Sequence, residues 1–257
     1  MTALLEVKEL SRSFDGLKAV SGLSFSVTPG EIFGIIGPNG AGKSTAVNLV
    51  SGVIKPTSGA VRFDGRDVTG RSPHDLVALG LARTFQSTTV FTTRSVAENC
   101  RRGGYLTRYS GFFSAFFGNG RSATMARASE ERINEILDWL ALTRVRDVTA
   151  GDLPYGAQKT LGMAISLMAA PKLLMLDEPV AGLSAAEADN VRDTIKKVCE
   201  RGISVVVIDH NMRFMAGLCD RILVLHHGQE LAHGSPQEVL RDPKVIEAYL
   251  GRNYAKA

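Results

Sequence analysis

The nine residues from Gly37 to Thr45 read Gly-Pro-Asn-Gly-Ala-Gly-Lys-Ser-Thr, and their types and spacing suit the holding of phosphate. They fill G-x-x-x-x-G-K-[ST] with Gly37, Gly42, Lys43 and Ser44. Gly37, Gly40 and Gly42 let the backbone of Gly37, Pro38, Asn39, Gly40, Ala41 and Gly42 curl so that consecutive N–H groups face one anion. Lys43 can bridge the β- and γ-phosphates of a nucleoside triphosphate. The Ser44 hydroxyl can ligate Mg²⁺, and the helix that begins there with Thr45 adds its positive dipole end. The apolar run Glu31–Ile36 before the cradle and the helical spacing of Ser44–Ser51 after it give the strand–loop–helix context that the pattern requires. The chain is expected to bind ATP or GTP.

Two adjacent carboxylates, Asp177 and Glu178, follow a short apolar strand at Leu173–Leu176. Burying them there is costly unless they serve a metal or a reaction. Beside a phosphate cradle their roles divide. Asp177, the first residue beyond the strand, can hold Mg²⁺ through water or with Ser44, while Glu178 can polarise a water aimed at the γ-phosphate. His210, just past a second β-branched run at Ile203–Ile208, can hydrogen-bond that phosphate. Gln86, at the end of the run Leu81–Phe85, can reach Mg²⁺ or the attacking water, or be simply solvated. Phe14 lies where an aromatic ring could stack on adenine, or it is an ordinary core or turn aromatic. Leu153, Pro154, Tyr155 and Gly156 open a helix rich in Ala, Leu and Met, whose N-terminus would face an anion.

These groups need a scaffold. Alternation at Leu4–Phe14 and Ala19–Val27 predicts two half-buried strands, pairing antiparallel at the N-terminal edge of the sheet. A turn at Pro56–Gly59, a strand at Ala60–Phe63 and a hairpin signal at Asp64-Gly65 follow, then a loop and short helix over Asp67–Leu79. Arg101–Arg127 loses all pattern and holds Phe112, Phe113, Phe116 and Phe117, which suit either packing or docking on a partner or membrane surface. Glu130–Leu142 and Ser184–Arg201 read as helices. A hairpin around Gly228 and two helices, Ser235–Leu240 and Pro243–Leu250, complete the chain.

At 257 residues, 44% hydrophobic and 22% charged, the composition is that of a globular α/β protein. The net charge of +4 comes from interspersed signs, so nucleic-acid binding is not indicated. Cys100, Cys199 and Cys219 have neither paired nor metal-ligand spacing, which suits a reducing compartment. Leu161–Leu176 is broken by Pro171 and Lys172 and is too short to span a bilayer as one helix.

In order, the cradle, Gln86, Leu-Pro-Tyr-Gly at 153–156, Leu-Met-Leu-Asp-Glu-Pro at 174–179, Ala-Gly-Leu-Ser at 181–184 and His210 resemble the ATP-binding cassette of ABC transporters over essentially the whole chain. The resemblance implies an α/β P-loop NTPase core with a mostly parallel sheet, an N-terminal antiparallel β subdomain and a helical subdomain. It would be one ATPase domain, with residues 1–86 and 170–257 as core and 87–169 as the helical part. It assigns Phe14 to adenine stacking, Gln86 to the Q-loop, Leu153 to Ala157 to the signature, Asp177 and Glu178 to the metal and catalytic carboxylates, Ala181 to Ser184 to the D-loop, and His210 to the switch histidine. Four features narrow it to ATP-binding subunits of importers for branched-chain amino acids and related compounds. These are the insert after Ala97-Glu98-Asn99, the Leu-x-Tyr-Gly signature, the Asp-Glu-Pro-x-Ala-Gly-Leu run and the Pro243-x-Val-Ile-x-Ala-Tyr-Leu-Gly ending. ATP and Mg²⁺ are the implied cofactors. The implied partners are a second cassette subunit, integral membrane permease subunits docking near Gln86 and 87–127, and indirectly a solute-binding protein, with the chain on the cytoplasmic face of the inner or plasma membrane.

Two departures stand out. The usual Leu-Ser-Gly-Gly-Gln signature becomes Leu-Pro-Tyr-Gly-Ala-Gln, and Pro154 offers neither hydroxyl nor N–H. The usual D-loop aspartate is Ser184. Together they suggest a heterodimer whose two ATP sites are unequal. Two other readings use the same core: a soluble cassette ATPase acting on DNA or ribosomes, and a regulatory subunit with negligible hydrolysis. The lack of a coiled-coil insertion and of a concentrated basic face speaks against the first, and the intact Asp177, Glu178 and His210 against the second.

Overall fold

Strands rich in β-branched residues and buried on both faces belong to a parallel sheet, and Ile32–Ile36, Leu173–Asp177 and Ser204–Ile208 are buried at every position. The computed structural model describes residues 2–84, 90–104 and 119–250. There, β3 (Ile32–Ile36), β6 (Leu81–Arg83), β7 (Leu173–Asp177), β8 (Ser204–Ile208), β9 (Arg221–His226) and β10 (Gln229–Gly234) form a six-stranded sheet in the order β10-β9-β3-β8-β7-β6. All neighbours are parallel except β10, which returns antiparallel beside β9.

The N-terminal strands do not extend this sheet. β1 (Leu5–Phe14) and β2 (Leu17–Val27) pair antiparallel, and β1 also takes β4 (Ser58–Phe63), which turns back into β5 (Arg66–Asp67). The result is a separate four-stranded sheet, β2-β1-β4-β5, because the free edge of β1 is filled by β4 rather than by a core strand. The two sheets meet through the stacked rings of Phe25 and Phe33, 5.3 Å apart.

Period-two alternation sorts each core strand between two apolar clusters. Ile32, Ile36, Leu174, Leu176, Val205 and Val207 join the helical side, while Phe33, Ile35, Leu173, Met175, Val206 and Ile208 join the side shared with the antiparallel sheet. The helices are α1 (Lys43–Val50), α2 (Pro73–Leu79), α3 (Val96–Gly103), α4 (Asn119–Trp139), α5 (Tyr155–Leu167), α6 (Ala185–Glu200), α7 (Met212–Ala216), α8 (Pro236–Arg241) and α9 (Pro243–Leu250). Reciprocal serine–glutamate caps start three of them, Ser95/Glu98, Ser184/Glu187 and Ser235/Glu238. Ser184, which stands where the D-loop aspartate is usual, is thus the N-cap of α6.

Several boundaries move. The helix expected over Glu130–Leu142 begins at Asn119 and stops at Trp139. Ala141 turns left-handed (φ 56°) and the Leu142 and Ala141 N–H groups return to the carbonyls of Leu137 and Asp138. The patternless stretch from Arg101 is therefore helical at its start, in α3, and at its end, in α4. Asp177 is the last residue of β7, not the first beyond it, because its parallel pairing with Ile208 continues the ladder. Phe85, Gln86, the Phe112–Phe117 cluster and residues 251–257 lie outside the described residues.

On the helical side, the fully buried Asn99 fixes the approach to α3. Its side chain accepts the Phe91 N–H at 2.7 Å and donates to the carbonyls of Phe91 (3.0 Å) and Ser95 (3.0 Å). α3 then crosses α5 so closely that any side chain at Gly103 would strike the Ile165 carbonyl. Among the described residues no helix is long and apolar enough to cross a membrane.

Candidate nucleotide-binding and hydrolysis site

The cradle turns between β3 and α1 because its glycines adopt backbone closed to other residues. Gly42 sits at φ 98°, and a Cβ there would lie 2.5 Å from the Ala19 carbonyl. Above it opens a pocket of about 420 Å³ lined by Asn39 to Thr45, Glu178, Leu17, Lys18 and His227. Its floor is braced by the β9–β10 turn, where the Gly228 N–H donates to the Ala41 carbonyl at 2.9 Å and the Ser21 N–H to Gly228 at 2.8 Å. His227 and Gly228 escaped the sequence reading, in which they were only a hairpin turn.

Lys43 is buried, and its ammonium donates to the carbonyls of Gly37 (2.7 Å) and Pro38 (3.0 Å). Burial pushes its pKa down, against the pull of three acids in order of strength, Glu178, Asp209 and Asp177. The parallel pairing of β3, β8 and β7 brings these groups together at the carboxyl ends of the strands, where open α/β sheets place their ligands.

Glu178 leaves β7 in a left-handed conformation, φ 48°, held by its N–H on the Ile208 carbonyl at 2.7 Å. A bulky residue there is strained, and such strain gathers at reacting sites. Its Oε1 lies 3.9 Å from Nδ1 of His210, which is well exposed at the end of β8. The turn that presents His210 is built by Asp209, whose Oδ1 accepts the N–H groups of His210 (2.8 Å) and Asn211 (2.9 Å). Asp209 is fully buried, and burial pushes its carboxyl up despite these N–H groups.

Asp177 is 7% exposed and its Oδ2 accepts Nη2 of Arg83 at 2.7 Å. Ser44 and Glu178 line the pocket, Asp177 and Asp209 lie close enough to act on the Lys43 charge, and His210 meets the site through Glu178; Asp177 and His210 are not themselves in the pocket wall. Phe14 does not line the pocket; 41% exposed, its ring carries the Arg12 guanidinium at 4.6 Å. Leu153 to Gly156 do not line it either. They begin α5, with Pro154 at the cap making no side-chain hydrogen bond, so the first N–H groups of α5 take no partner from the cap. Tyr155 leans on Gly182, 3.2 Å from where its Cβ would be, and Gly156 faces Glu187. The signature therefore rests on its own chain's 181–184 turn.

A glycine cradle after the central strand of a parallel sheet, with a carboxylate pair and a histidine on the adjacent strand ends, defines a P-loop nucleotide-binding cassette. Residues 20–181 match the family model described as ABC transporter, and residues 229–255 that described as branched-chain amino acid ATP-binding cassette transporter. The chain is 35% identical over 252 residues (96% of this chain, 98% of the other) to a high-affinity branched-chain amino acid transport ATP-binding protein, BraF, of Pseudomonas aeruginosa. It is 34% identical, over 96% and 98%, to its LivG counterpart in Escherichia coli K12. Among solved structures it is similar to a nucleotide-free ATP-binding cassette from an ABC transporter, with TM-score 0.85, 30% identity and 98% and 100% coverage. It is likewise similar to the ADP conformation of such a cassette, with TM-score 0.84, 29% identity and the same coverage. The chain belongs to the ATP-binding cassette family of ABC transporters and is an ATPase.

Proposed function

We propose that this chain is the ATP-hydrolysing subunit of a membrane importer for branched-chain amino acids or related compounds, working on the cytoplasmic face of the membrane beside permease subunits. The observation that carries the ATPase part is Glu178, which lines the cradle's pocket with Lys43 and lies 3.9 Å from His210. The transport part rests on the relatives and on the C-terminal segment.

ATP entering the pocket would place its phosphates on the Gly37–Thr45 amides. Lys43 would exchange the Gly37 and Pro38 carbonyls for the β- and γ-phosphates. The Ser44 hydroxyl and Asp177 carboxylate are hard oxygen donors of the kind Mg²⁺ accepts alongside phosphate oxygens and water. When bound there, Mg²⁺ would offset the negative charge of the β- and γ-phosphates. Glu178 would take a proton from the water that attacks the γ-phosphorus, giving ADP and phosphate, and His210 would steady the γ-phosphate. Gln86 would link this site to the permease contact.

One chain supplies only part of the enclosure, since its own signature lies away from its own pocket. Two cassettes would close on ATP, each cradle capped by the other's α5 amides, and open after hydrolysis. Alone and without ATP the chain would be largely monomeric and a weak ATPase. With Pro154 and Tyr155 in place of serine and glycine, this chain's signature is the poorer cap, so the partner in a heterodimer would hold the slower site. Phosphate release from the assembled complex tests this. Glu178→Gln in this chain alone should remove most turnover, whereas turnover near wild type would show that the asymmetry has the opposite sign.

A further inference from the structure

Arg83 ends β6, three residues before Gln86, and its side chain is 8% exposed. A buried guanidinium must satisfy its donors, and this one spans three elements. Nη2 donates to Asp177 Oδ2 at 2.7 Å at the end of β7. Nη1 donates to Asn48 Oδ1 at 2.6 Å and Ser51 Oγ at 2.9 Å, on and just beyond α1, the helix that follows the cradle. Ser51 is held in turn by the Val47 carbonyl at 2.7 Å. The planar fork is thus clamped on one side to the helix that carries Ser44 and on the other to the carboxylate read as the magnesium ligand.

We propose that Arg83 is the positioning residue for magnesium at this site: it locks the Asp177 carboxylate to α1 so that Asp177 and Ser44 present one preset pair of oxygens to the metal. The proposal rests on the reading that Mg²⁺ sits between those two residues. The geometry argues for positioning rather than competition. A guanidinium this buried would be left as an unpaired charge if it gave up its carboxylate, so the incoming metal does not expel it. The pair stays, Oδ2 remains on Arg83, and Oδ1 is left for the metal or a water in its shell. A carboxylate already neutralised by arginine is a weaker direct ligand but still a good acceptor from metal-bound water, which suits an ion that keeps several of its waters. Lysine cannot do the same work. Its ammonium is a point charge without the rigid fork that reaches α1 and Asp177 together.

The test is ADP binding by the full chain, titrated calorimetrically with MgCl₂ and, separately, with EDTA. Wild type should bind ADP more tightly with Mg²⁺. Loss of a group that orients a metal ligand typically weakens metal affinity about 10- to 100-fold. Arg83→Lys should accordingly cut the Mg²⁺ enhancement by about tenfold while metal-free ADP binding stays within about twofold. Asn48→Ala, which leaves the Arg83–Asp177 pair but frees its other arm, should cut the enhancement in the same direction and guards against a misfolded Arg83 variant. A purely structural Arg83 would weaken ADP binding equally with and without Mg²⁺, and that result, or an enhancement unchanged or increased in both variants, overturns the proposal. If Mg²⁺ gives wild type no enhancement, the failure belongs to the reading of the metal site itself.

Discussion

Gly42 shows how a side chain's absence can be the functional feature. Its left-handed backbone and the Ala19 carbonyl 2.5 Å from a would-be Cβ leave no room for alanine without a shift of the cradle. Gly42→Ala should lose on the order of 1–2 kcal/mol from the backbone conformation alone. ADP affinity should fall more than the melting temperature suggests if the displaced amides are the binding groups, as proposed; fluorescence titration beside a thermal melt would show this. At this scale the sequence pointed to candidates wherever residue type is itself the chemistry, as with the cradle glycines, Lys43, Asp177, Glu178 and His210. It was silent on Arg83, whose Asp177 partner is 94 positions away, since an arginine ending a three-residue strand follows no period and fits no motif. His227 was hidden for a similar reason. Its place at the pocket comes from the β9–β10 turn folding onto Ala41, which is a tertiary fact.

Elements were legible where one physical pattern ruled them. The buried parallel strands follow from apolar runs, whereas α3 lay inside the stretch read only as an insert and the start of α4 lies in polar sequence with no apolar stripe to announce it. The separateness of the antiparallel sheet depended on which strand filled the edge of β1, and alternation alone does not encode a partner. One clamp then binds the sheets together. Arg221 on β9 reaches Glu31 before β3 through Nε at 2.6 Å and the Ser26 carbonyl on β2 at 2.8 Å. Burial alone would raise the Glu31 carboxyl. Hydrogen bonds from Arg221 and from the Thr28 N–H and hydroxyl, with the Arg221 charge, outweigh it and hold the group below its ordinary 4.5. A carboxylate with a depressed folded pKa stabilises the fold above its unfolded value and loses that contribution as pH falls through the folded one. The melting temperature should therefore fall on acidification below pH 4.5, and less steeply in Glu31→Gln. That variant should be destabilised by about 1–3 kcal/mol at neutral pH, with the two curves converging in acid. Thermal melts from pH 7 downward would check it.

The whole molecule is one partner in a machine. Its cradle opens into a pocket that its own signature does not line, and the sequence pointed to a second cassette through the family resemblance, with Pro154 and Tyr155 adding only that the two sites would be unequal. Its stability is likewise shared out in the service of turnover, and Glu178 is where the two aims part. The φ of 48° at that carboxylate is a standing charge against the folded state that glycine would not carry. Glu178→Gly should raise the unfolding free energy by on the order of 1 kcal/mol in urea melts, while phosphate release by the assembled transporter collapses. A laboratory screen that rewarded only heat resistance would accordingly drift toward an inert protein at this position. Under the proposed role, a glutamate there would be kept for its work on the attacking water, against the chain's own thermodynamic preference.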